Sequence, residues 1–213
     1  MKRPADWGKT NLAKERLKKE RKLDGEESYS GRSIIHRDGP IDGGVYISVT
    51  SKEAIVVDSR KYPKLKELYK IARLKATEKG IVQKDLILEA VFNTVSEAIP
   101  KQDERSVAKI VREFGVGKDG KIALDKFLER GTGVCRHDAL TCAALLEMFN
   151  KEGMLSGKPS LDRNATEMGA HAWCRYTNSA GQVYILDVAK NFLGTLKSAR
   201  GSKKWVYERR ADF

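Results

Sequence analysis

The chain has few cysteines, no long apolar run and no internal repeat, and each shortage closes off a class of protein. Three cysteines among 213 residues are too few, and odd in number, for a disulfide framework; they point to a reducing, cytoplasmic setting. No stretch approaches the roughly 18 consecutive apolar residues of a membrane-spanning helix, so no membrane insertion is expected. Residues 1–27 carry no apolar h-region and do not read as a secretory signal. Zinc-finger spacing, an aromatic RNA-binding signature and a clear helix-turn-helix are all missing. Around Asp119 the chain reads as a turn, since the acidic ligands of a calcium loop are lacking there.

What is present first is positive charge, a net +12. It sits at the ends. Residues 1–22 hold nine Lys/Arg against three Asp/Glu, residues 195–213 hold six against two, and the stretch between them is nearly balanced. Basic ends attract polyanions weakly and salt-dependently, and they aid solubility. They make a basic-tailed, nucleic-acid-associated protein one alternative reading, without a specific nucleic-acid site. Residues 1–30 are expected to form a basic, mobile extension, docked at most by a small contact. Residues 31–213 are long enough for one core and are expected to form a single domain.

Within that domain the pattern changes along the chain. Residues 44–50 and 54–58 are β-rich and predict a hairpin, the centre of a 31–62 hairpin region. A helical part follows over 63–114. Pro63 opens a helix with Leu65, Leu68, Ile71, Ala72 and Leu74 as its stripe, ended by Gly80. Residues 85–99 predict a second helix, stopped by Pro100, and 103–114 a third, capped by Asp103. A short helical turn is expected over 124–128 and a long, largely buried helix over 134–149. Residues 153–167 read as a polar loop. Residues 169–177 and 182–188 read as strands joined by a turn at Asn178, with a last strand near Trp205. Helices and strands segregate, so the fold class is α+β.

The chemistry lies in the 124–194 part. Gly131-Thr132-Gly133-Val134 delivers Cys135 to the start of the long helix. A thiolate is the nucleophilic form of cysteine, and a helix N-terminus favours it through unpaired N–H groups and the dipole. The same N–H groups suit a tetrahedral oxyanion. Gly131 and Gly133 permit a tight approach and leave room for substrate. His171 can protonate a departing amine. On a strand it shares a face with Trp173, which can shield it from water. The hairpin places position 171 opposite 187 or 188, bringing Asp187 within reach to orient the imidazole.

These three blocks resemble the transglutaminase-like superfamily, a branch of the papain-like cysteine enzymes. The blocks are Gly133-Val134-Cys135-Arg136 before a helix, Gly169-Ala170-His171-Ala172-Trp173 on a strand, and Tyr184-Ile185-Leu186-Asp187 on the next. The resemblance covers residues 124–194. It implies Cys135 as nucleophile, His171 as general base and acid, Asp187 as orienting residue, and a helix packed on an antiparallel sheet with the site at their junction. Crosslinking members have Gln-Cys-Trp where this chain has Val134-Cys135-Arg136, and extra β-domains for which the chain is too short. Bacterial protease-like members fit better. No side-chain oxyanion donor stands out; Gln102 is the nearest upstream amide.

Duller readings compete. A cysteine at a helix start is often a buried apolar residue. His137 lies two positions from Cys135, and such helix positions do not face each other. Arg136 and Asp138 read as solvated or structural, and Cys142 and Cys174 as core. A zinc site from Cys135, His137, His171 and Cys174 has unsuitable spacing, so no metal and no cofactor are expected. The leading expectation is a thiol hydrolase (protease, isopeptidase or deamidase), or less readily an acyltransferase, with a protein or peptide substrate. Its specificity is expected to lie in residues 153–167 and 115–120. The alternative on the same fold is a non-catalytic peptide-binding module.

Overall fold

Two β-strand runs and a long buried helix set the frame of the computed structural model, which describes residues 7–19, 23, 25, 27–48, 53–77, 84–115 and 120–213. The fold is α+β. Helix α1, Gly8–Lys19, belongs to the segment expected to be mobile, but it is docked. Leu17 and Ala13 are buried against Tyr29, Ile34, Val45 and Val56. One buried leucine contributes about 1.5–3 kcal/mol to that docking. Strands β1 (Ser28–Tyr29) and β2 (Arg32–Ser33) form a tight hairpin through Ser30 and Gly31, both at positive φ.

The expected hairpin forms as β3 (Val45–Ile47) and β4 (Ala54–Val56), with Val45 opposite Val56. All six residues are buried because both faces are covered. Tyr46 and Ile55 face the main core, while Val45, Ile47, Ala54 and Val56 face α1. Helix α2 is Pro63–Thr77. Its buried stripe is Leu65, Leu68, Tyr69, Ala72 and Ala76; Leu74 was expected there and is 66% exposed. Gly80, the expected stop, lies outside the described residues, as do residues 116–119 of the expected specificity loop. Helix α3 is Lys84–Ala98. Strand β5 is Lys101–Gln102, and α4 (Glu104–Phe114) is capped by Asp103, whose carboxylate accepts from the N–H groups of Arg105 and Ser106.

Strand β6 (Lys121–Ala123) joins β4 in parallel and makes a three-stranded sheet. Helix α5 is Leu124–Glu129, and β7 (Thr132–Gly133) pairs with β5. Helix α6, Cys135–Lys151, is buried along most of its length. It packs on an antiparallel sheet of β8 (Gly157–Thr166), β9 (Gly169–Asn178), β10 (Val183–Asp187) and β11 (Phe192–Thr195), in the order β11-β10-β9-β8. Leu161, Ala172, Cys174, Tyr176 and Leu186 meet α6 in the core. Trp173 and Ile185 belong to a separate cluster with Ala199 of α7 (Leu196–Ser202) and with Trp205 and Tyr207.

The structure differs from the sequence-based expectations at three places. Residues 157–166 are a full-length strand, not part of a polar loop. Their polar side chains are buried on partners rather than in water: Ser160 donates to Asp38, Asp162 binds Arg209, and Asn164 holds Trp205. Residues 205–207 form no strand; side chains anchor them in place of a backbone ladder. The β9–β10 turn is one residue longer than a two-residue hairpin, with Gly181 at φ 77°. The Asn178 side chain accepts from the N–H groups of Ala180 and Gln182. That loop sets Leu186 opposite Cys174, so Asp187 follows in line with Trp173, not with His171. Among the described residues no helix is long and apolar enough to cross a membrane.

Candidate active site

Cys135 is the first residue of α6, and its loop is fixed from several sides. Gly131 turns the chain at φ 56°, a left-handed conformation that favours glycine. Gly133 is buried, and a Cβ there would lie 2.8 Å from Ile99 Cγ2 and 3.0 Å from His137 Cβ. Its missing side chain makes room for those neighbours; it is not among the residues facing the cavity described below. His137 closes the helix start. Its Nδ1 accepts the Val134 N–H at 3.1 Å, satisfying a donor the helix leaves over. Burial, aided by the charge of Arg136, pushes the His137 pKa well below the ordinary value, so the ring stays neutral and able to accept.

Arg136 and Asp138, flanking His137, are both buried. Arg136 donates through Nε to Glu53, which precedes β4, and through Nη1 to Glu104, the first residue of α4, at 3.0 Å. Burial disfavours its charge, but the two carboxylates outweigh that and raise its pKa. Asp138 accepts the Gln102 amide at 2.8 and 3.1 Å. Burial, then the nearby charge of Asp187, lifts its pKa to about 8 against the Gln102 bond. Gln102 is thus engaged on Asp138 while its backbone runs beside Gly133.

His171 and Asp187 meet on neighbouring strands. His171 Nε2 is 2.6 Å from Asp187 Oδ2, and both residues are buried. The contact is diagonal across the ladder, a reach open to a long side chain. Asp187 also accepts from Tyr207 OH at 2.8 Å and from the Lys190 N–H at 3.1 Å. Burial works against a charged His171, but the bond to Asp187 and the Cys135 thiol together raise its pKa to about 9. Trp173 is buried, with its ring stacked 6.0 Å from that of His171. Trp205 sits edge-on to the same imidazole at 4.9 Å, held by a 2.6 Å bond from its Nε1 to Asn164. Trp173 therefore packs behind the histidine and does not line the cavity.

A cavity of about 380 Å³ joins these parts. Cys135 and His171 face it together with Trp7, Tyr46, Arg163 and Asn164. Cys135 is half-buried, whereas Cys142 and Cys174 are fully buried, with thiol pKa values raised by burial. Only one of the three thiols thus meets the cavity. Among the described residues no group of three His, Cys, Asp or Glu side chains is arranged to hold a metal ion. Sequence reasoning missed Tyr46, Arg163 and Tyr207. The first lay in a β-rich run and the second in an expected loop; no spacing tied either to Cys135. Searches of protein-family models, curated proteins and solved structures find no match to this chain.

Proposed function

We propose that this protein is a cysteine-dependent amide-bond enzyme of papain/transglutaminase-like type, with Cys135 as nucleophile, His171 as acid and base, and Asp187 as its orienting partner. The observation that carries the reading is a single cavity holding the half-buried Cys135 thiol and the His171 ring, with His171 bound to Asp187 at 2.6 Å. A buried histidine with a raised pKa, tied to a carboxylate and opposite a thiol, is the arrangement nucleophilic catalysis uses.

In the reaction the Cys135 thiolate attacks the substrate carbonyl carbon and a C–S bond forms. N–H groups at the start of α6 receive the charge that builds on oxygen. The C–N bond breaks as the His171 imidazolium gives its proton to the departing amine. Water then attacks the thioester, His171 takes a proton from it, and a carboxylic acid leaves as the thiolate–imidazolium pair is restored. An amine in place of water gives a new amide. Hydrolysis is the favoured outcome and a peptide or protein the favoured substrate. A reducing, cytoplasmic setting suits a reactive thiol beside two unpaired buried ones.

The test is labelling with an electrophilic peptide library, followed by mapping of the adduct. Wild type should be modified at Cys135 and should process the peptide families that compete best. If Cys135→Ala were labelled and processed those peptides as fast as wild type, the reading would be lost.

A further inference from the structure

Among the described residues, the buried arginines are matched with carboxylates, with one exception. Arg136 meets Glu53 and Glu104, Arg175 meets Asp212, and the half-buried Arg209 meets Asp162 and Asp38. Arg163 is 9% exposed and has no carboxylate partner among the described residues. Its one side-chain hydrogen bond among them runs from Nη1 to Tyr46 OH, at 2.6 Å. The guanidinium lies over the rings of Trp7 and Tyr46, at 5.1 and 5.4 Å from their centroids. Aromatic contact holds such a group by its faces and leaves the edge, with its fork of N–H donors, for another ligand. A buried charge without a counter-ion is costly, and an anion bound at that edge would offset the cost.

The surroundings complete the picture. Arg163, Tyr46, Cys135 and His171 line the same cavity. Tyr46 is buried, which raises its pKa and keeps its proton on oxygen. That oxygen already accepts from Arg163, so the phenol proton is available to a second partner. The one carboxylate among the described residues of the cavity wall, Glu104, is held by Arg136. On the same wall the Trp7 indole N–H has no acceptor among the described residues.

We propose that Arg163 and Tyr46 form a carboxylate-binding subsite beside Cys135, so that the preferred acyl donor carries a carboxylate next to the carbonyl presented to the thiol. One planar fork and one phenol hydroxyl match the two oxygens of a carboxylate. The carboxylate is an acidic side chain or a terminal α-carboxylate. The inference rests on Cys135 being the reactive thiol, as proposed above.

The test uses two reagents of nearly equal size, iodoacetate and iodoacetamide, and reads the ratio of their rates at Cys135. With an unassisted thiolate the anion is the slower, because the charges repel. Wild type should instead prefer iodoacetate by about tenfold, the worth of one charge-assisted contact. Arg163→Gln should lower the ratio about tenfold while His171 remains, with R163K intermediate and Tyr46→Phe lowering it by a smaller factor. Should R163Q not fold, the wild-type ratio and the R163K and Y46F variants carry the same test. Chloroacetyl-Gly-Glu-amide against its Gln counterpart, and chloroacetyl-Gly-Gly acid against its amide, separate the two sources of carboxylate. An iodoacetate preference that is absent in wild type, or unchanged in R163Q and R163K, overturns the subsite and leaves the thiol-enzyme reading intact. Failure of iodoacetamide to label Cys135 ahead of Cys142 and Cys174 overturns the enzyme reading itself.

Discussion

Asp187 reaches His171 from a position that the ladder aligns with Trp173, and the two side chains close to 2.6 Å. The reach is fixed from behind, because Tyr207 OH and the Lys190 N–H hold the same carboxylate. Asp187→Asn keeps the shape but offers an amide donor where His171 needs an acceptor. We expect peptide turnover to fall by roughly 10²–10⁴-fold, with the thermal transition nearly in place. Tyr207→Phe removes one of the three donors and should cost about 1–3 kcal/mol in stability, measured by denaturant unfolding. A fully active D187N variant would remove Asp187 from the site.

Stability should depend on pH through two buried groups. His171 rises from an ordinary 6.5 to about 9, and Asp138 from 3.8 to about 8. Each binds its proton more tightly folded than unfolded, so each contributes fully below its ordinary value and loses that contribution as pH climbs through the raised one. The His171 share is lost between about 6.5 and 9, and the Asp138 share between about 3.8 and 8. The melting temperature should therefore decline from neutral pH toward pH 9, and Asp138→Asn should flatten the part below pH 8. A profile that is level from pH 6 to 9 in wild type contradicts both shifts.

Arg136 ties α6 to β4 and α4 through Glu53 and Glu104. Arg136→Met strands Glu53, whose side chain is wholly buried, and should cost about 3–5 kcal/mol. Pairing it with Glu53→Gln should recover a good part of that loss. Equal stability of single and double variants in urea would show that the ion pair is not what matters.

Gly133→Ala pushes a methyl against Ile99 and His137. Overpacking of this kind costs about 1–3 kcal/mol. Because His137 caps α6, the variant should also slow alkylation of Cys135. Adding Ile99→Val should relieve the stability loss if the contact with Ile99 is the cause.

Much of the architecture was legible because periodicity reports burial. The hairpin at 45–56, the helices from Pro63 to Phe114 and the long helix after Cys135 all carry apolar stripes at the right spacing. The local signals around Cys135, His171 and Asp187 led to residues that share one cavity or one hydrogen bond. What failed has a common cause. Strand β8 carries Ser160, Asp162 and Asn164, polar residues that read as solvent-facing, yet their partners come from Asp38, Arg209 and Trp205, far off in the chain. The hairpin register differs by one or two positions from the expected one because the Asn178 side chain and Gly181 make a three-residue loop. Arg163 and Tyr46 could not be paired in advance, since nothing local signals a contact across 117 residues.

The segment carrying Trp205, Tyr207 and Arg209 packs onto the histidine side of the cavity and is locked by Asp162 and Asp38. During synthesis this segment leaves the ribosome some seventy residues after Cys135, and about twenty after Asp187. Until then Asp187 lacks one of its three donors and His171 lacks the indole at its edge. A nascent or proteolytically shortened chain ending before Trp205 would thus hold its thiol opposite a histidine without these two supports.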